Sequence, residues 1–168
     1  IDVAPMIMNG SSQSQTSLGF RIAGIEEEPT VVAGMTYQNI TAITPDPMKF
    51  GVTGEEGFPE LPVFARLIGI PDQSGVRIEI ISSSYQIIEN VDVMPSQPSE
   101  VEGSPEIPAF TKNEAFYQKN EFYPSEVAEL GEPVICRDLR MIQTQINPVQ
   151  YNPVTRQLKV YTSIDYNL

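Results

Sequence analysis

The sequence of 168 residues predicts an all-β protein, an antiparallel β-sandwich with long Pro/Gly-rich loops. Three observations lead to this prediction. No segment sustains the 3.6-residue apolar spacing of an amphipathic helix, whereas several segments alternate apolar and polar residues. The 15 prolines and 11 glycines divide the chain into short strands. No internal repeat is present, so the length predicts one domain.

The N-terminal part of the chain predicts a tail followed by a strand. Residues 1–17 are weakly patterned and rich in small polar side chains, so we expect a flexible N-terminal segment. The single domain would then cover residues 18–168. Leu18, Phe20 and Ile22 share one parity and are expected to form the buried face of the first strand.

The next three segments are bounded by turn residues. Glu26–Pro29 is expected to be a charged turn. Thr30–Ile43 predicts one or two strands around Gly34. Thr44–Pro62 is dense in proline and glycine, so we expect a long loop that contains one short edge strand.

The middle of the chain predicts a central strand, two outer strands and a loop. Val63–Ile70 is apolar on both faces, as expected for a central strand that is covered on both sides. Val76–Ile81 and Tyr85–Val93 alternate on either side of a serine run and predict further strands. Met94–Phe110 contains four prolines, which cannot donate to a strand ladder, so this segment is expected to be a loop.

The segment Glu132–Ile146 predicts a long strand with a change of phase. Its apolar residues occupy first one parity and then the other, so a one-residue bulge near Met141 would direct both sets to the core. Cys136 is the one cysteine of the chain, so no internal disulfide can form. We expect it to be a small buried residue with Ile135, Leu139 and Met141 as core neighbours.

The C-terminal residues predict the clearest hairpin of the chain. Asn152–Pro153 suits the start of a turn, because proline fixes φ and asparagine favours the preceding position. We expect Lys159–Ile164 to pair with Thr144–Val149 across this turn. Tyr151 and Tyr161 are expected to face each other on the two arms.

Composition excludes several classes of partner and of chemistry. The net charge of −12 disfavours binding to nucleic acid or to anionic membranes, and no apolar run is long enough to insert into a membrane. The absence of histidine excludes Ser-His-Asp and Cys-His catalysis within the chain, together with the usual His-containing zinc sites. We therefore expect no catalytic residue, no metal and no cofactor.

Two side-chain groups resemble carbohydrate sites but have simpler explanations. Glycosidases need two carboxylates across a cleft, whereas the acidic pairs of this chain are neighbours in predicted loops and are expected to be solvated. These pairs are Glu26–Glu28, Glu55–Glu56 and Glu100–Glu102. An aromatic cluster could form a sugar platform but is expected to be a satellite core beneath the long loops. Its members are Phe116, Tyr117, Phe122 and Tyr123.

Two long stretches carry a resemblance to a known family. The stretch "PVQYNPVTRQLKVYTSI" (Pro148–Ile164) resembles the C-terminal strand pair of the N-terminal prodomain of gingipain-type cysteine peptidases. The preceding stretch "NEFYPSEVAELGEPVICRDLRMIQTQINP" (Asn120–Pro148) is similar to the same family, and residues 61–97 match it more loosely. "CRDLR" followed at this interval by "PVQYNPVT" is more specific than ordinary turn chemistry.

The resemblance implies a non-catalytic β-sandwich prodomain of a secreted cysteine peptidase. Such a domain would assist folding of a separate catalytic domain and cover its active site until it is removed. The expected location is the secreted or cell-envelope compartment of a bacterium, after a signal peptide has been removed. The alternative is a free-standing cell-surface binding module, either an adhesin or a carbohydrate-binding domain. The next domain of the parent gene would distinguish the two.

The resemblance also implies where the inhibitor acts. In the family, the loop after the strand matching "IIENVDVMPS" reaches the catalytic cleft and fills the specificity pocket with a basic residue. Here residues 95–108 contain no arginine or lysine but three glutamates, which a pocket with its own carboxylate would reject. We therefore expect either that the cognate peptidase does not prefer basic residues or that residues 95–110 only block access sterically. A third option is that Lys112 takes the role of the basic residue by a different path. The candidates are Ser99, Glu100, Val101, Glu102 and Lys112.

Asp138 and Arg140 are the remaining candidates. Charges within a strand usually point outward or form a pair, so a structural ion pair is the simpler interpretation. Contact with the enzyme domain is the functional alternative.

Overall fold

The computed structural model describes residues 5–12, 14–44, 50–73, 75–99 and 108–168. In these residues two five-stranded antiparallel sheets and one two-stranded hairpin account for the strands, and the α-helix is one short turn. The prediction of an all-β antiparallel fold is therefore confirmed. In chain order the elements are β1 (Met6–Ser11), β2 (Thr16–Arg21), β3 (Gly24–Val32), β4 (Met35–Ile43), β5 (Phe50–Val52), β6 (Pro62–Gly69), β7 (Glu79–Ile88), α1 (Glu114–Tyr117), β8 (Ala128–Leu130), β9 (Val134–Cys136), β10 (Leu139–Ile146), β11 (Val149–Asn152) and β12 (Gln157–Asn167).

Strand β12 is the centre of the first sheet. It pairs with β2 and β11 along one edge and with β7 along the other, while β1 extends the sheet beyond β2. Leu18 pairs with Tyr166 and Phe20 with Ile164, and all four side chains are buried. The predicted shared face of Leu18, Phe20 and Ile22 is therefore confirmed.

Strand β1 and the start of β2 lie within the segment expected to be a flexible tail. Met6 pairs with Phe20 and Ser11 with Thr16, so this segment forms a hairpin at the edge of the first sheet. Its side chains are largely exposed, and the sequence therefore lacks the apolar alternation that marks a half-buried strand.

The second sheet has the order β5-β6-β10-β8. Strand β9 also pairs with β10, at residues 139–141, whereas β8 pairs with residues 144–146. Strand β6 lies between β5 and β10, which agrees with the predicted central position. Only its first half is buried, however: Phe64 lies in the core and Val63 is buried on the opposite face, while the side chain of Leu67 is 55% exposed. Coverage on both faces is therefore a wrong prediction for the second half of this strand.

The core lies between the two sheets. The Phe20 ring of the first sheet lies 5.5 Å from the Phe64 ring and 6.2 Å from the Phe50 ring of the second, measured between centroids. Leu158 and Ile164 are fully buried in the same cluster. Full burial of each such side chain contributes about 1.5–3 kcal/mol, so this cluster holds the sheets together.

The acidic stretch Glu26–Pro29 is part of strand β3, so the predicted turn is wrong. β3 pairs with β4 over nine residues, and the turn lies instead at Ala33 and Gly34, both with positive φ. A two-residue turn of this kind matches the twist of a hairpin. The glutamates are exposed on an edge strand, where charges and proline are both tolerated.

The C-terminal hairpin is shorter than predicted. Val149 pairs with Val160, and Tyr151 pairs with Leu158, whereas Thr144–Ile146 belongs to the second sheet. Pro148 has no N–H to continue the ladder, so the chain crosses between the sheets at this point. The Tyr161 ring therefore faces the Tyr85 ring at 5.3 Å and not Tyr151.

The turn of that hairpin follows the prediction. The Asn152 side-chain oxygen accepts hydrogen bonds from the backbone N–H groups of Val154 and Thr155, at 3.1 and 3.2 Å. This is an asparagine-initiated turn, as the Asn-Pro pair indicates.

Candidate functional site

The residues that enclose the predicted inhibitory segment form one compact region. Ser99 is exposed, and Lys112 lies at the other end of the segment. Glu100, Val101 and Glu102 lie outside the described residues. The region is therefore described through the two stems of the segment, Met94–Ser99 and 108–113.

Both stems are fastened to the same short piece of backbone. The Gly57 N–H donates to the Ser96 carbonyl at 2.8 Å, and the Ser96 N–H donates to the Phe58 carbonyl at 2.7 Å. On the other side, the Asn113 N–H donates to the Gly57 carbonyl at 2.9 Å. Gly57 and Phe58 thus lie between the outgoing and the returning stem.

Gly57 has no room for a side chain. Its φ is +79°, and a Cβ placed there would lie 2.9 Å from the backbone nitrogen of Asn113. Glycine supplies both the left-handed conformation and the close approach. The buried Thr53 side chain fixes the surrounding loop, since its hydroxyl donates to the Pro59 carbonyl and accepts from the Leu61 N–H, at 2.7 and 2.9 Å.

The two stems are also joined directly by a side chain. The Gln97 amide nitrogen donates to the Thr111 carbonyl at 2.9 Å and to the Pro95 carbonyl at 2.8 Å. The Gln97 amide oxygen accepts from the Thr111 N–H at 2.9 Å. We call this arrangement the amide bridge. Because a primary amide has the same donor and acceptor groups as a peptide, Gln97 pairs with Thr111 as a strand residue would.

Lys112 is held against aromatic rings. Its ammonium nitrogen lies 4.6 Å from the centroid of the Tyr117 ring and 5.8 Å from that of Tyr37, and its side chain is only 17% exposed. Glu114 lies 3.9 Å away. The Tyr117 hydroxyl donates to the Val93 carbonyl at 3.2 Å, and burial raises the pKa of Tyr117 well above its ordinary value. The positive charge of Lys112 is thus directed inward, toward the domain.

The predicted aromatic cluster packs beneath these stems. The Phe116 ring lies 4.7 Å from Phe58 and 5.2 Å from Tyr123, and Asn113 caps the short helix that carries it. Phe116 is buried. These contacts agree with a satellite core. Phe122 lines a cavity together with Phe58, Phe116 and Tyr123, and the Lys159 ammonium lies 4.6 Å from the centroid of its ring.

Asp138 and Arg140 lie on the hairpin formed by β9 and β10. Asp138 is exposed, while Arg140 is partly buried and donates to the Pro71 carbonyl at 2.7 Å. Strand β6 runs from Pro62, near the stems, to Gly69, which pairs with Met141 beside this hairpin. Eight residues of strand span roughly 23 Å. The structure therefore does not bring Lys112 together with Asp138 and Arg140.

Cys136 is exposed, so the prediction of a buried core cysteine is wrong. It pairs with Leu139 near the tip of the hairpin, and Ile135 beside it is 75% exposed. The predicted bulge is also wrong, because residues 141–146 of β10 pair in unbroken register with β6. Cys136 is exposed because β9 pairs with residues 139–141 at the start of β10. There, the side chains of this three-residue strand lie away from the core between the sheets.

The described residues hold no cluster of three or more Cys, Asp or Glu side chains arranged to bind a metal ion. Within the same parts of the chain, no helix has the length and apolar character needed to cross a membrane.

Comparisons with known proteins agree on one family. The Propeptide_C25 family model matches residues 3–168. Gingipain R1 of Porphyromonas gingivalis is 32% identical over 172 residues, which cover 94% of this chain and 15% of the relative. Lys-gingipain of the same species is 33% identical over 119 residues, covering 67% of this chain and 7% of the relative. The chain therefore spans less than a fifth of these relatives.

Two solved structures share the fold. One is described as the complex of Porphyromonas gingivalis RgpB pro- and mature domains, with a TM-score of 0.86 and 25% identity over 97% of this chain and 83% of that chain. The other concerns zymogenic latency of gingipain K from the same species, with a TM-score of 0.78 and 28% identity over 96% of this chain and 89% of that chain.

Proposed function

Because the chain belongs to the Propeptide_C25 family of gingipain propeptides, we propose that it assists folding of a gingipain-like cysteine peptidase domain and covers its active site before maturation. It is itself a propeptide domain, and the catalytic domain of such precursors is separate. The match over nearly the whole chain to a prodomain solved with its mature domain is the observation that carries this proposal. Its partner would be that catalytic domain, and its location secreted or in the bacterial cell envelope.

The inhibitory contact in this proposal is the segment of residues 98–110, between Gln97 and Thr111. The fastened stems support it, because a segment whose two ends are fixed loses less conformational entropy when it binds. The composition of residues 98–110 includes three glutamates and neither lysine nor arginine. The segment would therefore obstruct the cleft and would not present a cation to a pocket that binds basic residues.

The orientation of Lys112 supports the same mode. Removing its ammonium from the Tyr117 and Tyr37 rings would forfeit a partly desolvated cation–π contact worth on the order of 1–2 kcal/mol. An inserted lysine would have to regain this free energy in the enzyme before it contributed any affinity. Lys112 is therefore proposed as an anchor of the returning stem.

The exposed β9–β10 hairpin is proposed as a second contact with the enzyme domain. Asp138 is solvated and Ile135 and Leu139 expose apolar surface beside it. Surface of this kind, with apolar residues rimmed by charge, is typical of protein interfaces. Arg140 would act there mainly by orienting the hairpin, through its bond to Pro71.

The test is inhibition of the chain's own catalytic domain. We expect the purified chain to inhibit it stoichiometrically and to leave an unrelated cysteine peptidase active. Replacing Ser99–Ser104 by a Gly/Ser sequence of equal length should weaken inhibition while the chain remains folded, and deleting the same residues should weaken it at least as much. Full inhibition by the deletion variant would place the contact elsewhere and contradict the proposal. Absence of inhibition by the unaltered chain would favour a free-standing binding module.

A further inference from the structure

We propose that Gln97 is the positioning residue of the inhibitory segment, because its amide bridge to Thr111 fixes the two stems of this segment relative to each other. This inference rests on the proposed function, in which that segment covers the enzyme. It assigns to one side chain the relative placement of the two stems, Met94–Ser99 and 108–113.

The hydrogen bonds of Gln97 are complete. The amide nitrogen donates to Pro95 and to Thr111, and the amide oxygen accepts from Thr111. The side chain is only partly exposed, so these bonds are shielded from competing water. No other natural side chain offers two donors and an acceptor at this reach from the backbone.

Among the residues that the structure describes, the amide bridge is the polar link between the stems that lies nearest to the segment. Ser96 and Asn113, which lie one and two positions further from the segment on their stems, are already fixed by Gly57 and Phe58. The bridge closes a span of 14 residues, only slightly shorter than the span between Ser96 and Asn113. Loop-closure free energy grows with the logarithm of length, so this shortening has little effect by itself. The effect of Gln97 therefore lies in orientation.

Orientation matters because the segment must meet an enzyme surface. Without the bridge, residues 97–98 of the outgoing stem would gain backbone freedom that binding must remove again. The Phe110 ring, 5.8 Å from Tyr37, and the Lys112 contact would still hold the returning stem to the domain. The domain would therefore stay folded while the outgoing stem lost its link to the returning stem.

The experiment compares three variants with the unaltered chain. Gln97→Ala removes all three bonds, and Gln97→Glu keeps the acceptor but places a carboxylate against two carbonyl oxygens. Gln157→Ala is the matched control, because it removes a partly exposed glutamine amide that makes one long bond of 3.4 Å to Glu89. Each chain is titrated against its own catalytic domain, and amide hydrogen exchange is measured at Thr111.

We expect Gln97→Ala and Gln97→Glu to weaken inhibition roughly tenfold or more, with faster exchange at the Thr111 N–H. The control should match the unaltered chain in both measurements. Recovery of the bridge in Gln97→Glu is tested by lowering the pH. A protonated carboxyl group regains one donor and should slow hydrogen exchange at Thr111 again relative to Gln97→Ala.

Two results overturn the inference. If the unaltered chain inhibits and Gln97→Ala inhibits equally well, Gln97 does not position the segment. If Thr111 exchange is the same in both, the bridge does not form in solution. If the unaltered chain fails to inhibit at all, the proposed function itself has failed, which is a distinct outcome.

Discussion

The ammonium nitrogen of Lys112 lies 4.6 Å from the centroid of the Tyr117 ring, with only 17% of the lysine side chain exposed. The nearest basic residue to the proposed inhibitory segment on its returning side is thus directed into the domain. This relationship separates two ways of inhibiting, by insertion of a cation and by obstruction.

The first prediction concerns the charge of Lys112. Lys112→Met keeps the aliphatic packing on Tyr117 and Tyr37 but removes the cation, so we expect a loss of about 0.5–2 kcal/mol in unfolding free energy. Inhibition of the catalytic domain should change by less than about threefold. Urea unfolding and an inhibition titration measure the two effects. Loss of inhibition with unchanged stability would identify Lys112 as the inserted residue instead.

The second prediction concerns the backbone contact at Gly57. Gly57→Ala forces a Cβ to 2.9 Å from the Asn113 nitrogen at a φ of +79°. Gly34→Ala is the matched control, because its φ is +80° but nothing lies within 4 Å of the added Cβ. We expect the control to cost about 1 kcal/mol from the left-handed backbone alone.

Gly57→Ala should cost about 1–3 kcal/mol more than that control, because the stems must move apart. Thermal or denaturant unfolding of both variants gives the difference. Equal losses for the two variants would show that the stems accommodate the methyl group without strain.

The third prediction concerns Cys136. Because its side chain is exposed on a hairpin tip, a thiol reagent should label the native protein at a rate close to that of the unfolded chain. Cys136→Ser should change the unfolding free energy by less than about 0.5 kcal/mol. Protection of the thiol in the native chain, measured by the same labelling, would mean that another surface covers the hairpin in solution.

The fourth prediction concerns pH and the ion pair of Arg21 with Asp165, whose nearest atoms lie 2.6 Å apart. The hydrogen bond from Arg21 holds the pKa of Asp165 below its ordinary value of about 3.8, with a further contribution from Ser82. The folded protein therefore binds fewer protons than the unfolded chain in this range. The stabilisation is present above the unfolded-state pKa and is lost as the pH falls through the folded-state pKa.

Asp165→Asn should accordingly show a shallower fall in stability than the unaltered chain from about pH 5 to pH 2. Denaturant unfolding at several pH values measures the slope. Added salt should reduce the difference, since the pair is partly exposed. Parallel curves for the two proteins would show that Asp165 titrates alike in both states.

Much of the fold could be predicted from local pattern. The alternation in β12 and the shared face of Leu18, Phe20 and Ile22 identify strands of the first sheet, because a period of two is present in any half-buried strand. The Asn152 turn follows from side-chain chemistry within a few residues. The absence of histidine likewise restricts the chemistry of the chain, because it depends on composition alone.

The predictions that failed all concern what covers a strand or which strand lies beside it. Ile135 and Cys136 have a buried strand's sequence but lie exposed at the tip of a hairpin. Glu26–Pro29 has a turn's composition but pairs along β4 as an exposed edge. Residues 144–146 are predicted to pair in the C-terminal hairpin. They belong to the second sheet instead, because the chain crosses from the second sheet to the first at Pro148.

The candidate site likewise has some features that follow from sequence and others that depend on the fold. Composition alone establishes that residues 95–108 carry acidic and no basic side chains, and that the chain has no histidine to serve in catalysis. Folding brings Gln97 into hydrogen-bonding distance of Thr111, places Gly57 between the stems and directs Lys112 inward. Local sequence fixes backbone preference and charge, whereas contacts between residues distant along the chain depend on how the two sheets and their loops close around a shared core.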